Sequence, residues 1–274
     1  MQPLEPGVVF WAERDDFAVI RALGVRCGQL VIHGKMQLGG GVAGRWKSML
    51  DEAGFTLVTI FAAYDGEDYA DIPTVQRTVG FIPPATRASR EARTLAVSDF
   101  AAHLGVPGIA THIGFVPEDP AHPDYTGVRN VVRRVCDYAA RHGQTFALET
   151  GQERADVLAA FIAAVDRPNL RINFDPANLI LYGSGEPIAA LKVLAPHLAS
   201  VHCKDGDWPP AGVPGALGSE RPLGQGSVGI PNFIRTLKEI GFQGSLNVER
   251  ETENQDARLA DIAAGLQLLR TLTG

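Results

Sequence analysis

The stretch TFALETGQERADVLAAFIAAVDRPNLRINFD, residues 145–175, reads as a strand, a helix and a second strand. TFALE and LRINFD are short and apolar on both faces, as strands of a parallel sheet covered on both sides are. Between them ERADVLAAFIAAV, 153–165, spaces its apolar residues at i, i+3 and i+4, the period of a helix. The first strand closes on Glu149 and the second on Asp175.

The same unit recurs in both directions. Toward the N-terminus, strands are expected at 7–13, 27–33, 55–64 and 106–114, with helices at 15–24, 44–54, 89–105 and 125–143. Toward the C-terminus, LRINFD is followed by a helix at 185–197. LASVHCKD, 198–205, and a Gly/Pro-rich loop, 206–229, precede a helix at 230–241. GSLNVERE, 244–251, precedes the last helix, 256–273. Several helices end in glycine, as at Gly24, Gly54, Gly105, Gly143 and Gly241. Eight strand–helix units in a row, with no linker between them, predict an α/β fold, a closed (β/α)8 barrel forming a single catalytic domain over 1–274. A doubly wound open sheet is the alternative, but no GxGxxG follows the first strand.

LASVH and GSLNVE extend the strand-end pattern to His202 and Glu249. Side chains alternate across a strand, so an inward Glu149 carries Ala147 with it. Likewise Asp175 goes with Asn173, His202 with Ser200, Glu249 with Asn247, and His112 with Ala110. The outward neighbours Phe174, Ile172, Val201, Cys203, Val248 and Leu246 are mostly apolar, so one register serves five strands. A lone strand-end glutamate is more often a salt-bridge partner than a ligand. Three carboxylates and an imidazole at the C-terminal ends of consecutive strands, where barrel enzymes place their chemistry, suit one divalent cation. Mn²⁺ is the expected ion, with Mg²⁺ or Co²⁺ as alternatives.

Other residues have two readings. Lys204 shares the inward register of His202 and either binds substrate oxygen or pairs with a carboxylate. His112 and His33 are further site residues or satisfied core histidines. Arg221 lies in a loop able to carry it over a polar substrate, or is a solvated charge. Trp11 and Glu13, near the end of the first strand, line the site, or Trp11 packs in the core. Asp205 and Asp207 orient neighbouring groups or cap a turn. His103, His142 and His197 are expected at the surface, and Cys203 faces the helices.

The composition narrows the classes of function. The net charge is −6 and there is no basic tract, so a nucleic-acid phosphate track is not expected. No run approaches the ~18 apolar residues of a membrane span. The first sixteen residues lack a basic segment followed by a long apolar one, so no signal peptide is expected. Cys27, Cys136 and Cys203 are odd in number and form no CxxC pair, consistent with reduced thiols in the cytoplasm.

With Glu149, Asp175, His202 and Glu249 set out, the chain resembles the sugar phosphate isomerase/epimerase superfamily. These are the xylose isomerase-like TIM barrels, which include ketose 3-epimerases, hydroxypyruvate isomerase and inosose dehydratase. The resemblance spans essentially the whole chain and rests on ALETGQE, NFDPANL, VHCKDG with the following PLGQG, and NVERE. In ketose 3-epimerases the matching Glu, Asp, His and Glu bind one divalent metal, and the two glutamates exchange protons with a substrate carbon. The resemblance thus implies that Glu149 and Glu249 are an acid/base pair as well as ligands, and that Asp175 and His202 are ligands only. Glu153 matches a substrate-binding glutamate of those enzymes in approximate position only, or instead begins the helix at 153–165. Two positions depart from their pattern: Asn178 stands where they carry a substrate-binding His, and Trp208 where they carry an Arg. Both departures bear against ketohexose 3-epimerisation.

The leading expectation is a metal-dependent sugar isomerase or epimerase working through an enediolate, one glutamate removing a proton and the other returning it. Loss of a β-leaving group from the same intermediate would make a lyase or dehydratase of a keto-sugar, keto-glycoside or inosose. An apurinic endonuclease-like nuclease would need more site histidines than the seven in this chain provide. A non-catalytic sugar-binding barrel would not need the four-ligand set. The expected partner is a small sugar or polyol-derived substrate, with no nucleic acid and no membrane; a homo-oligomer is possible.

Overall fold

A computed structural model describes residues 4–39 and 41–274 of the chain. The first three residues of the N-terminal stretch read above lie outside it. Eight parallel strands close into a barrel. In chain order they are β1 (Glu5–Trp11), β2 (Cys27–Ile32), β3 (Thr56–Ala62), β4 (Gly108–Thr111), β5 (Thr145–Glu149), β6 (Leu170–Phe174), β7 (Leu198–Cys203) and, last, β10 (Ser245–Val248). A separate antiparallel ribbon pairs β8 (Asp205–Asp207) with β9 (Ser219–Arg221). The layer around the barrel comprises α1 (Phe17–Ala22), α2 (Val42–Ala53), α4 (Pro84–Leu104), α5 (Pro123–Ala140), α6 (Ala155–Val165), α8 (Pro187–Leu194), α9 (Ile230–Glu239) and α10 (Gln255–Thr273). Two short helices lie in the loops, α3 (Ile72–Thr78) and α7 (Pro176–Leu181). Among the described residues no helix is long and apolar enough to cross a membrane.

The expected (β/α)8 barrel is therefore observed, with several boundaries moved. The first strand starts and ends two residues earlier than 7–13, and the fourth is only Gly108–Thr111. A strand ends where its ladder partners end, and apolar content alone does not locate that point. The loops read as irregular hold α3, α7 and the β8–β9 ribbon, pieces too short to show a period. α3 does carry a local start signal: Asp71 Oδ1 accepts from the Thr74 N–H at 2.7 Å, with proline in the first turn.

The alternation separates two apolar layers. Phe146, Leu148, Ile172, Phe174, Val201, Cys203, Leu246 and Val248 join the large core between barrel and helices. Val9, Val31, Phe61, Ala110 and Ala147 form a smaller cluster inside the barrel, with Trp11 and Ala63 against it. The interior also holds Gln29, Asn173, Ser200 and Asn247, all buried. The barrel floor is thus part polar, and it lies beneath the convergent strand ends.

Candidate metal centre and active-site cleft

The barrel order β10-β7-β6-β5 brings Glu249, His202, Asp175 and Glu149 side by side. One donor atom from each lies within 4.8 Å of the others. His202 Nδ1 is 3.0 Å from Glu149 Oε1, 3.0 Å from Glu249 Oε2 and 3.5 Å from Asp175 Oδ2. Asp175 is aimed by the helix it starts. Its Oδ1 accepts from the N–H groups of Ala177 (2.8 Å) and Asn178 (3.0 Å), capping α7. That leaves Oδ2 turned toward the centre.

Asp175 Oδ2, Glu249 Oε2 and His202 Nδ1 are buried and make no hydrogen bond among the described residues. Buried polar atoms are normally hydrogen-bonded, and these three meet one another and Lys204 Nζ only as ion-pair contacts, so their convergence needs a physical account. A hard divalent cation supplies one, because it takes carboxylate oxygen and imidazole nitrogen at about 2.0–2.6 Å. Burial alone would lower the pKa of His202, but Glu249, Asp175 and Glu149 raise it well above its ordinary value. Burial raises the Glu149 carboxyl to about 7 despite His202. Glu249 is held well below its usual range, because His202 and Lys204 outweigh its burial. The two glutamates differ because Lys204 Nζ is 3.2 Å from Glu249 Oε2. The donor set and its electrostatics both fit a bound cation.

Gln29, on β2, completes the arrangement from across the barrel. His202 Nε2–H donates to Gln29 Oε1 at 2.7 Å. Gln29 Nε2 in turn donates to Asn173 Oδ1 at 3.0 Å, which also accepts from Ser200 Oγ at 2.5 Å. Engaging Nε2 orients the ring and presents Nδ1 to the three carboxylates. Nothing in the sequence around Gln29 marks it; only barrel closure brings it to His202. Gln29→Ala is expected to weaken divalent-metal binding about 10- to 100-fold, as loss of a partner behind a ligand does. Isothermal titration of the metal-free protein with Mn²⁺ checks this, and an unchanged affinity would remove Gln29 from the site.

The centre opens into a cleft with two lobes. One, of about 300 Å³, is lined by Asn178, Tyr182, Lys204, Leu217 and Glu220, among others. The other, of about 210 Å³, has walls that include Trp11, Phe61, Ala63 and Tyr64. Glu149, Glu249, Glu251, His112 and Tyr69 border both.

The comparisons with known proteins agree with this architecture. The model of the xylose isomerase-like TIM barrel family matches residues 17–272. The chain belongs to that family. A xylose isomerase domain protein from Planctomyces limnophilus is 42% identical, with a TM-score of 0.94 over 98% of this chain and 97% of that one. A D-tagatose 3-epimerase-like protein is 15% identical, with a TM-score of 0.77 over 98% and 97%. A xylose isomerase-like TIM barrel protein from Mycobacterium smegmatis, in complex with magnesium, is 20% identical, with a TM-score of 0.68 over 93% and 86%. At these last two identities the likeness is one of fold. A search of curated protein sequences gives no match.

Within the family frame, the other expected site residues divide. His112, Asn178, Lys204 and Trp11 line the cleft. Burial, with Lys204 nearby, lowers the pKa of His112 to about 3, so the ring is neutral at neutral pH. Its Nδ1 accepts from Gly114 N–H at 3.3 Å and its Nε2 meets the Gln152 carboxamide. Asn178 crosses directly over Gly151, where a β-carbon would overlap that of Asn178 and φ is +145°. Trp11 is held by Arg258, whose guanidinium is 4.6 Å from the ring centroid. His33 also lines the second lobe, while Glu13 does not.

Glu153 and Arg221 are turned away from both lobes. Glu153 Oε1 accepts from Val116 N–H at 2.6 Å and ties the loop after β4 to the loop after β5. Arg221 Nε donates to Asp207 Oδ2 at 2.7 Å on the exposed side of the ribbon. Strand alternation explains the exchange: the neighbour of Arg221, Glu220, is the residue that reaches the cleft. Glu220 salt-bridges Arg250 at 2.8 Å and accepts from Glu251 N–H at 3.1 Å. Asp205 gathers the N–H groups of Gly206, Gly224 and Val228, which shapes the loop.

Gln29, Glu220, Glu251 and Tyr69 are the site residues that sequence reasoning missed. For Glu251 a signal existed, since it lies two residues beyond Glu249 in the inward register. Glu251 Oε2 accepts from Lys204 Nζ at 2.7 Å.

Proposed function

We propose that the whole chain is one catalytic barrel, a divalent-cation-dependent sugar epimerase or isomerase. The observation that carries this is the placement of Glu149 and Glu249. Their carboxylates lie 3.0 Å from the same His202 nitrogen and border the same cleft. Glu149, Asp175, His202 and Glu249 would hold the cation, with Mn²⁺ the proposed ion and Mg²⁺ or Co²⁺ alternatives. When bound, the cation supplies Lewis acidity to a carbonyl oxygen and acidifies the adjacent C–H. One glutamate removes that proton and the other returns a proton, to the opposite face of the same carbon or to its neighbour. Asp175 and His202 stay fixed, held by the α7 cap and by Gln29. Lys204 and Asn178 contribute hydrogen bonds to substrate oxygens. His112, neutral and set at the junction of the lobes, orients a hydroxyl. The three buried free cysteines favour the cytoplasm as the compartment.

Removal of the metal with a chelator is expected to abolish exchange of substrate C–H with D₂O, and Mn²⁺ to restore it. Mass spectrometry of a panel of ketoses, 3-keto-glycosides and inososes reads the result. Exchange that persists in the metal-free protein would overturn the proposal. Loss of water from the product would redirect it to a dehydratase.

A further inference from the structure

The backbone ladder between β5 and β6 stops just short of Asp175. Glu149 pairs with Asn173, and β6 closes at Phe174, so Asp175 lies two residues beyond the partner of Glu149. The last bond of the ladder runs from Thr150 N–H to Asn173 O at 3.1 Å. In a continued parallel ladder the next would join Asp175 N–H to the Thr150 carbonyl. The Thr150 hydroxyl takes that place. It accepts from Asp175 N–H at 2.8 Å and donates to Asp175 O at 3.1 Å.

The chain leaves the strand direction at Gly151, so a side chain has to supply the bond that the backbone no longer can. The Gly151 carbonyl accepts from Ser184 Oγ, beyond α7, at 2.5 Å. Gln152 then meets His112 Nε2, and Glu153 Oε1 accepts from Val116 N–H at 2.6 Å, both in the segment after β4. All four residues 150–153 are buried. The tetrapeptide that follows Glu149 is thus stitched to the β6 side by its first two residues and to the β4 side by its last two.

Building on the proposed function, we infer that Thr150 is a positioning residue: its hydroxyl, standing in for a ladder bond, sets Asp175 at the spacing from Glu149 that lets both carboxylates reach one cation. A hydroxyl suits the place because it donates and accepts at once. The β-branched side chain restricts the rotamer that aims it. Valine has nearly the same shape and does neither. Without the hydroxyl, the buried Asp175 N–H loses its partner, and the end of β6 has to shift to find another. That shift would carry Asp175 Oδ2 away from the centre.

Isothermal titration of the metal-free protein with Mn²⁺ tests the inference. Thr150→Val is expected to weaken binding about 10- to 100-fold, and Thr150→Ser to stay within about threefold of wild type. At saturating Mn²⁺ the electron paramagnetic resonance spectrum of the bound metal is expected to change in Thr150→Val and not in Thr150→Ser. A loss of stability alone would not move that spectrum. Should Thr150→Val fail to fold, Thr150→Cys takes its place and is expected to bind Mn²⁺ more weakly than Thr150→Ser, because a thiol donates and accepts weakly. Wild-type affinity or an unchanged spectrum in Thr150→Val, or equal losses in its place and in Thr150→Ser, would overturn the role of the hydroxyl. A wild-type protein that binds no divalent cation would overturn the proposed function instead. Crystal structures of the metal-free wild type and Thr150→Val would then decide the positioning separately. A shift of Asp175 relative to Glu149 of about 0.5 Å or more is expected, and no shift would overturn it.

Discussion

Glu149→Gln and Glu249→Gln are each expected to slow substrate C–H exchange with solvent about 10²- to 10⁴-fold, the range over which a positioned acid or base contributes. The substitution keeps an oxygen that a cation can accept and removes the ability to take a proton. Assays at saturating Mn²⁺, with bound metal measured in parallel, separate lost chemistry from lost ligation. The two variants need not behave alike. Both face His202, but Glu249 also has Lys204 Nζ 3.2 Å away and, among the described residues, no lysine or arginine is paired with Glu149, so a substrate entering from one epimer meets a different base than from the other. Measuring each direction separately should show which glutamate faces which side of the reacting carbon. Wild-type exchange retained in both variants would remove the acid/base assignment.

The second large effect concerns stability, at a buried ion pair against the Trp11 ring. Arg258 and Asp15 side chains are 0% and 1% exposed, with Nη1–Oδ1 at 2.5 Å and Nη2–Oδ2 at 3.1 Å. Asp15 also accepts from Trp11 N–H at 2.8 Å and from Gln255 at 2.9 Å, and Arg258 Nε donates to Arg250 O at 2.8 Å. Arg258→Met leaves the Asp15 charge buried without its cation and is expected to cost about 3–5 kcal/mol. At about 2–4 °C per kcal/mol for a chain of this size, Tm should fall by roughly 10 °C. Removing both charges, as Asp15→Leu with Arg258→Met, should recover most of the loss, because an apolar pair does not leave an orphaned ion. A single variant that melts within about 2 °C of wild type would show that the pair carries little.

The same pair sets a direction with pH. Burial would raise the Asp15 carboxyl, but its hydrogen bonds to Arg258 and to the Trp11 backbone leave it below the ordinary value. A pKa depressed by folding means the contribution is complete above the unfolded value of about 3.9 and is lost as pH falls through the folded one. Acid titration of Tm for wild type against the double variant should show that loss only in wild type.

The four convergent residues were legible because each closes a short apolar strand, and strand alternation puts all four on the inner face. That argument needs no knowledge of distances. Lys204 and Glu251 follow from the same alternation, although Glu251 was not drawn from it. For Arg221 the sequence left both readings open, for a related reason. The loop 206–229 gives no period from which to see that β9 turns Glu220 inward and Arg221 outward. Glu153 bonds the Val116 N–H instead of lining either lobe, because a carboxylate four residues from Glu149 can turn to a backbone N–H as readily as to a substrate.

Local chemistry along the chain therefore determined the alternating strand and helix order, the closed barrel, the inward register and the identity of the candidate cation ligands. These depend on period, turn residues and the side chain at each strand end, all of which are read within a few residues. Barrel closure decided the rest. It alone brought Gln29 of β2 to His202 of β7, set Arg258 of α10 beneath Trp11 of β1, and divided the cleft in two around Tyr69 and His112. Those contacts join residues far apart in the chain, and their geometry depends on the curvature and packing of every strand between them.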